Sequence, residues 1–131
     1  MARSCIIVGC IKTSQELLMS TTAIITSIAS YLPEKILTND DMASMVDTSD
    51  EWITSRTGIR QRHVAAADEF ASTMGAQAAR RVLVRSNTDP KSLDLIIVST
   101  MTPDYLCPST AALIQHEIGA TGVAAVDISA A

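Results

Sequence analysis

The sequence predicts an α/β domain with a largely parallel sheet, and three observations carry that reading. Short β-branched apolar runs alternate with stretches of helical periodicity, an order that puts strands in one layer and helices over them. The run Leu93-Asp94-Leu95-Ile96-Ile97-Val98-Ser99-Thr100 is nearly continuously apolar, the pattern of a strand buried on both faces. Aromatic residues make up only 3% of the chain, so the core has to be aliphatic, built from Ile, Val, Leu, Met and Ala.

Taken in order, Ala23 to Ser30 reads as a buried strand that Pro33 closes. Asn39 is placed to N-cap a short helix running to Met45. Thr48 or Ser49 can cap a second helix carrying Trp52, and Gly58 suits its C-terminal end. Residues 59–64 alternate loosely, as a short strand or an extended edge would. A helix is predicted from Glu69 to Arg85, with Met74, Ala78, Ala79, Val82 and Leu83 sharing one face. The sequence Asn87-Thr88-Asp89-Pro90 breaks it. After the strong strand, Pro108 and Ser109 open another helix that ends at Gly119, and Val123 to Ile128 forms the last strand.

Composition narrows the function. With 131 residues, 47% hydrophobic and 18% charged, the chain is long and apolar enough to bury one core. Ten basic against fourteen acidic residues leave a net charge of −4, which argues against a general nucleic-acid binder. No apolar run approaches the ~18 residues of a membrane span. Cys5, Cys10 and Cys107 are an odd set with neither zinc nor disulfide spacing, so a reduced, cytoplasmic compartment and no metal are expected.

The chemistry concentrates between Val46 and His63. Trp52 and Arg56 lie four apart, on one helix face, where an indole beside a guanidinium suits an adenine ring and a phosphate. The alternative is a tryptophan that packs its helix down, with Arg56 on a nearby carboxylate. Arg60 and Arg62 either extend a basic rim or are solvated. Arg80, Arg81 and Arg85 read as surface residues on the polar side of a helix, and His63 and His116 as exposed structural positions.

Three stretches in order carry a family resemblance. These are Tyr31-Leu32-Pro33-Glu34-Lys35-Ile36-Leu37-Thr38-Asn39, then Val46-Asp47-Thr48-Ser49-Asp50-Glu51-Trp52-Ile53 through Arg56-Thr57-Gly58-Ile59-Arg60, and Thr102-Pro103-Asp104-Tyr105 leading into Pro108-Ser109-Thr110-Ala111. Together they resemble the N-terminal part of β-ketoacyl-acyl carrier protein synthase III. That resemblance implies part of a thiolase-like fold, layered αβαβα over a mixed, largely parallel sheet, across residues 19–131. It also implies an acyltransferase that starts fatty-acid synthesis by decarboxylating condensation of acyl-CoA, expected to be acetyl-CoA, with malonyl-acyl carrier protein. By the same resemblance Thr48, Trp52 and Arg56 line the mouth of the coenzyme A channel. Coenzyme A is substrate here, and no separate cofactor is expected. Cys107 sits where the family projects a side chain across a homodimer interface into the acyl pocket; there it either leaves room for the primer or is simply a small thiol.

No catalytic residue is assigned. The run Val126-Asp127-Ile128-Ser129-Ala130-Ala131 resembles the approach to the family's nucleophilic cysteine, where the dipole at the start of a buried helix favours a thiolate. That cysteine, and the histidine and asparagine of the family's second half, are not in this sequence, so the chain alone is expected to be inactive. Two other readings stand beside this one: a non-catalytic remnant that binds coenzyme A or a partner chain, and a related thiolase-fold condensing enzyme. Asp50-Glu51-Trp52-Ile53 followed by Arg56-Thr57-Gly58-Ile59 favours synthase III over the latter. Two family glycines before the Tyr-Leu-Pro turn are replaced by Ser27 and Ala29, small enough to keep the packing. The N-terminal Cys5 to Ile11 run faintly resembles a lipoprotein signal, but polar Lys12 to Glu16 follows at once. Met19 is the expected start, leaving residues 1–18 as an extension outside the family match with no role in the fold.

Overall fold

Strand and helix alternate in the computed structural model, which describes residues 6–13 and 23–129. Cys5, the expected start at Met19, and Ala130 and Ala131 lie outside the described residues. The elements are β1 (Ile6–Thr13), β2 (Ala23–Tyr31), β3 (Ile36–Thr38), α1 (Asn39–Met45), α2 (Asp50–Thr57), β4 (Gln61–His63), α3 (Ala71–Ser86), β5 (Leu95–Ser99), α4 (Thr110–Glu117) and β6 (Ala124–Ile128). A single 3-10 turn, Pro90–Ser92, separates α3 from β5. The described residues divide into two compact units, one containing 32–69 and the other 6–13, 23–31 and 70–129.

In the first unit, β3 and β4 form a short antiparallel ladder, Ile36 opposite His63 and Thr38 opposite Gln61. The two helices sit between them in sequence, and each starts on a side-chain cap. Thr38, rather than the expected Asn39, caps α1. Its hydroxyl accepts from the Asp41 N–H at 3.1 Å, while the Asp41 carboxylate accepts from the Thr38 N–H at 2.8 Å and hydroxyl at 2.6 Å. This reciprocal box satisfies two groups that a helix start leaves without partners. Those bonds, the hydroxyl's first, hold the Asp41 carboxyl below its ordinary value. Asn39 is thereby the first helical residue, buried, and free to turn its amide elsewhere.

The second unit is organised by α3. Its predicted apolar face is its buried face: Met74, Ala78, Ala79, Val82 and Leu83 are all buried, and Val82 packs with Ala29 of β2. The helix begins at Ala71, two residues later than predicted, with Phe70, which carries no acceptor, as its N-cap. Thr73 and Asp104 cap it instead, the hydroxyl accepting from the Phe70 N–H at 2.9 Å and the carboxylate from the Ser72 N–H at 3.2 Å. Asn87 ends it in the left-handed region at φ 50°, one of the few non-glycine types that tolerates that conformation. Arg81 and Arg85, predicted as bare surface, are exposed but donate to the carbonyls of Ser30 and Ile28 at 2.6 and 3.0 Å. Arg81 also stacks over the Tyr31 ring at 5.3 Å.

The expectation that residues 1–18 play no part in the fold is corrected over residues 6–13. β1 pairs antiparallel with β2 from Ile6 opposite Tyr31 to Thr13 opposite Ala23, with an irregularity between Cys10 and Ile11. A strand edge presents a row of unpaired N–H and C=O groups, and a β-branched segment is a ready partner for it.

β5, α4 and β6 form the parallel crossover that the sequence predicts, with Leu95 beside Ala124 and Ser99 beside Ile128. Burial on both faces of β5 is not what the structure shows. Ile96 and Val98 are half-buried, whereas Leu95 is 48% and Ile97 is 55% exposed. β6 repeats the alternation, with Ala125 and Asp127 half-buried and Val126 and Ile128 exposed. Asp127 locks the crossover: its two carboxylate oxygens accept the N–H groups of Thr110 and Ala111, each at 2.7 Å. Ser109 caps the same turn through the Ala112 N–H at 3.2 Å.

Replacing Asp127 with Ala leaves two part-buried N–H groups without acceptors and should lower the unfolding free energy by about 2 kcal/mol. Asp127→Asn keeps one acceptor oxygen and should lose less. Urea titration of the three proteins measures both, and a loss in Asp127→Ala below about 0.5 kcal/mol would show that the carboxylate does not hold α4 to β6.

Candidate functional site

The site begins with the ends of α2. Ser49 caps it, its hydroxyl accepting from the Trp52 N–H at 3.1 Å, which leaves Thr48 one residue outside the helix. Asp50 and Glu51 occupy the first turn and Arg56 the last, charges that suit the helix dipole. Gly58 closes the helix at φ 70°, its N–H donating to the Thr54 carbonyl at 2.8 Å. A left-handed residue is needed there, and glycine adopts that conformation without strain.

Only Ile53 of α2 is buried. Trp52 is 57% exposed, and the Arg56 guanidinium carbon lies 5.7 Å from the centroid of its ring. The ring is open, and what lies against the guanidinium is the ring itself. Stacked in this way, indole and guanidinium present a flat apolar surface beside a fixed positive charge. The third predicted residue, Thr48, is half-buried, and its hydroxyl oxygen is enclosed without a hydrogen-bond partner.

Behind this face stands a residue that the sequence marks only as a helix cap. Asn39, 2% exposed, donates from its amide nitrogen to the Asp50 carboxylate at 2.7 Å and the Ile59 carbonyl at 2.8 Å, with the Thr54 hydroxyl at 3.3 Å. Its amide oxygen accepts from Arg62 at 3.0 Å. Arg62 also donates to the Thr38 carbonyl at 3.3 Å, so it ties β4 to the start of α1. Arg60 remains exposed. His63 is half-buried, its Nδ1 2.6 Å from the Pro33 carbonyl, which makes that nitrogen the donor and corrects its reading as a solvated position. His116 is exposed, as predicted. The available signal for Asn39 was its place beside a Thr-x-x-Asp box: a polar residue just inside a short helix, with no apolar periodicity to explain it.

Cys107 lies in the second unit, exposed, on the loop between β5 and α4 and joined to Pro108 by a cis peptide. Tyr105 and Leu106 beside it are also exposed. Among the described residues, no three His, Cys, Asp or Glu side chains are grouped to hold a metal ion, and no helix is long and apolar enough to cross a membrane.

No family model matches the chain. Similarity to individual proteins is nevertheless extensive. The β-ketoacyl-[acyl-carrier-protein] synthase III of Oleidesulfovibrio alaskensis is 50% identical over 113 residues, covering 86% of this chain and 34% of that protein. Its counterpart in Sulfurimonas denitrificans is 53% identical over 106 residues, covering 80% of this chain and 32% of that protein. In structure, the 3-oxoacyl-[acyl-carrier-protein] synthase III of Aquifex aeolicus superposes with a TM-score of 0.78 at 50% identity, over 80% of this chain and 34% of that one. The chain thus spans about a third of the length of the relatives it matches.

Because Trp52 is exposed, Trp52→Ala should cost little stability, within about 1 kcal/mol of the parent. Thermal melts followed by far-ultraviolet circular dichroism test this. A large destabilisation would favour the reading of Trp52 as a packing residue.

Proposed function

Because the chain belongs to the β-ketoacyl-acyl carrier protein synthase III family and carries part of its thiolase fold, we propose that the α2 face binds the nucleotide end of a coenzyme A thioester. Trp52 stacks the adenine, Arg56 meets a phosphate, and Thr48 stands at the edge of the same helix start. The observation that supports this most directly is the open indole with a guanidinium against it, on a helix whose only buried side chain is Ile53. Such a pair has little to do for the packing of its own unit and is well formed for a flat, anionic ligand.

The reaction of the full-length enzyme is, on this reading, the family's condensation. A cysteine thiolate takes the acyl group from acyl-CoA. A malonyl thioester on acyl carrier protein then loses carbon dioxide, and the carbanion attacks the acyl carbonyl with release of the thiolate. The chain contributes coenzyme A binding, while the cysteine, histidine and asparagine that do the chemistry have no counterpart in this sequence. Acetyl-CoA as primer, malonyl-acyl carrier protein as second substrate, a cytoplasmic location and a homodimer in which Cys107 faces the partner's acyl pocket belong to the same proposal. No separate cofactor enters it.

Trp52 is the sole tryptophan, so its fluorescence reports binding directly. Titrating the chain with coenzyme A should quench that emission saturably, and calorimetry should return the same dissociation constant. Trp52→Ala, followed by calorimetry, should weaken binding by roughly tenfold, equivalent to ~1.4 kcal/mol. Arg56→Ala should act in the same direction, with the larger effect at low salt. Labelled acetyl-CoA with malonyl-acyl carrier protein should give no ketoacyl product with this chain. A parent protein that ignores millimolar coenzyme A would end the binding proposal.

A further inference from the structure

We propose that Asn39 is the positioning residue of the Trp52–Arg56 face, setting the rotation of α2 about its own axis. The inference rests on the coenzyme A reading for its functional meaning, while its geometry stands on the hydrogen bonds alone. Asp50 is the first residue of α2, Thr54 lies one turn later, and Ile59 follows the Gly58 that ends the helix. One buried amide therefore reaches the entry, the middle and the exit of the same helix. A single bond would leave the helix free to swivel about it. Bonds near both ends do not.

The angular arithmetic places the anchor behind the platform. Asp50 and Thr54 form one stripe of α2, and Trp52 and Arg56 are each two residues further on. At about 100° per residue the two stripes are roughly 200° apart, on opposite sides of the helix. Holding the Asp50–Thr54 stripe inward thus turns the Trp52–Arg56 stripe outward. α2 has little else to fix its rotation, since its one buried apolar side chain, Ile53, gives a point of contact rather than a seam.

The amide is also used nearly to capacity. Two N–H hydrogens serve two close acceptors, at 2.7 and 2.8 Å, leaving the Thr54 oxygen at 3.3 Å a shared contact. The Thr54 hydroxyl itself donates to the same Asp50 carboxylate at 3.2 Å, and Arg62 fills the amide oxygen. Aspartate in place of Asn39 would bring a carboxylate against the Asp50 carboxylate and the Ile59 carbonyl. Leucine would supply none of these bonds and would leave the Ile59 carbonyl without its amide donor. Only an amide supplies donors toward α2 and an acceptor toward β4 at one buried point.

The test uses the whole chain and two readouts of Trp52: time-resolved fluorescence anisotropy without ligand, and affinity for coenzyme A. Asn39→Ala should stay folded by circular dichroism, gain a fast component in its anisotropy decay, and bind coenzyme A about tenfold more weakly, since a displaced binding group loses its alignment. Asp50→Asn keeps an acceptor oxygen opposite Asn39 and should preserve both readouts. Asp127→Ala, in the other unit, should lower stability without changing the anisotropy, which separates positioning from general destabilisation. If Asn39→Ala does not fold, Asp50→Ala decides, with a smaller loss expected in the same direction. A parent protein that does not bind coenzyme A would sink the ligand reading, and the anisotropy of the variants would still judge Asn39. Parent-like anisotropy in Asn39→Ala, or in Asp50→Ala where the former is unfolded, overturns the proposal.

Discussion

Backbone N–H groups at helix starts, which have no partners within their own helices, are the constraint on which this structure turns. Each of the four helices meets it with a side chain. The supplier is local for α1 and α2, where Thr38, Asp41 and Ser49 lie within the first turn. For α3 and α4 part of the answer comes from a distance, Asp104 reaching back to Ser72 and Asp127 to Thr110 and Ala111. The distinction has consequences. A local cap stabilises a helix wherever it lies, whereas a distant carboxylate also fixes where the helix stands relative to the strand or loop that carries it. Asp127 is in this sense a tertiary contact written as a cap, joining the end of β6 to the start of α4.

Asn39 answers the same demand for buried polar partners from the other side. With almost no exposed surface, its amide has to find acceptors within the protein. Those it finds span α2, and so the need to satisfy one side chain becomes the means of orienting a helix that buries little apolar surface. An aliphatic residue in the same place would fill space without choosing among rotations of α2. A polar group with directional bonds does choose, at the cost of having to be satisfied completely.

Much of this was legible in the sequence, for reasons that can be located. The α3 face was read correctly because five apolar residues at helical spacing leave one way to bury them, and burial there is within a single unit. A cap at Thr48 or Ser49 and the Gly58 terminus were legible because those residue types have specific backbone roles, and the structure selects Ser49. Asn39 was misread by one position, since Thr38 and Asn39 are both good caps and only the Asp41 partner decides between them. The burial of β5 was overestimated for a different reason. A parallel crossover lays its helix on one face of the strands, and here Ile96, Val98 and Ala125 are half-buried while Leu95, Ile97 and Val126 are exposed. An apolar run gives the capacity to be buried on both sides but cannot state which layers are present. The partners of Arg62, Arg81 and Arg85 were not legible, because a guanidinium that binds a distant carbonyl leaves no local pattern.

The same geometry bears on what the proposed site can contribute to a reaction. Trp52 and Arg56 would hold the part of the thioester farthest from the reacting carbonyl, and that part does not change between ground and transition state. Binding there is uniform: it lowers the concentration of acyl-CoA needed for half-saturation without accelerating the condensation. A site of that kind tolerates exposure and modest contact energy, but not misalignment, because the chain that leads from nucleotide to thioester carries any error toward the carbonyl. The structure matches that requirement. Trp52 and Arg56 lie open on the surface of α2, and on the proposed reading the rigidity is invested in the polar bonds behind them, where Asn39 fixes the helix rather than the ligand.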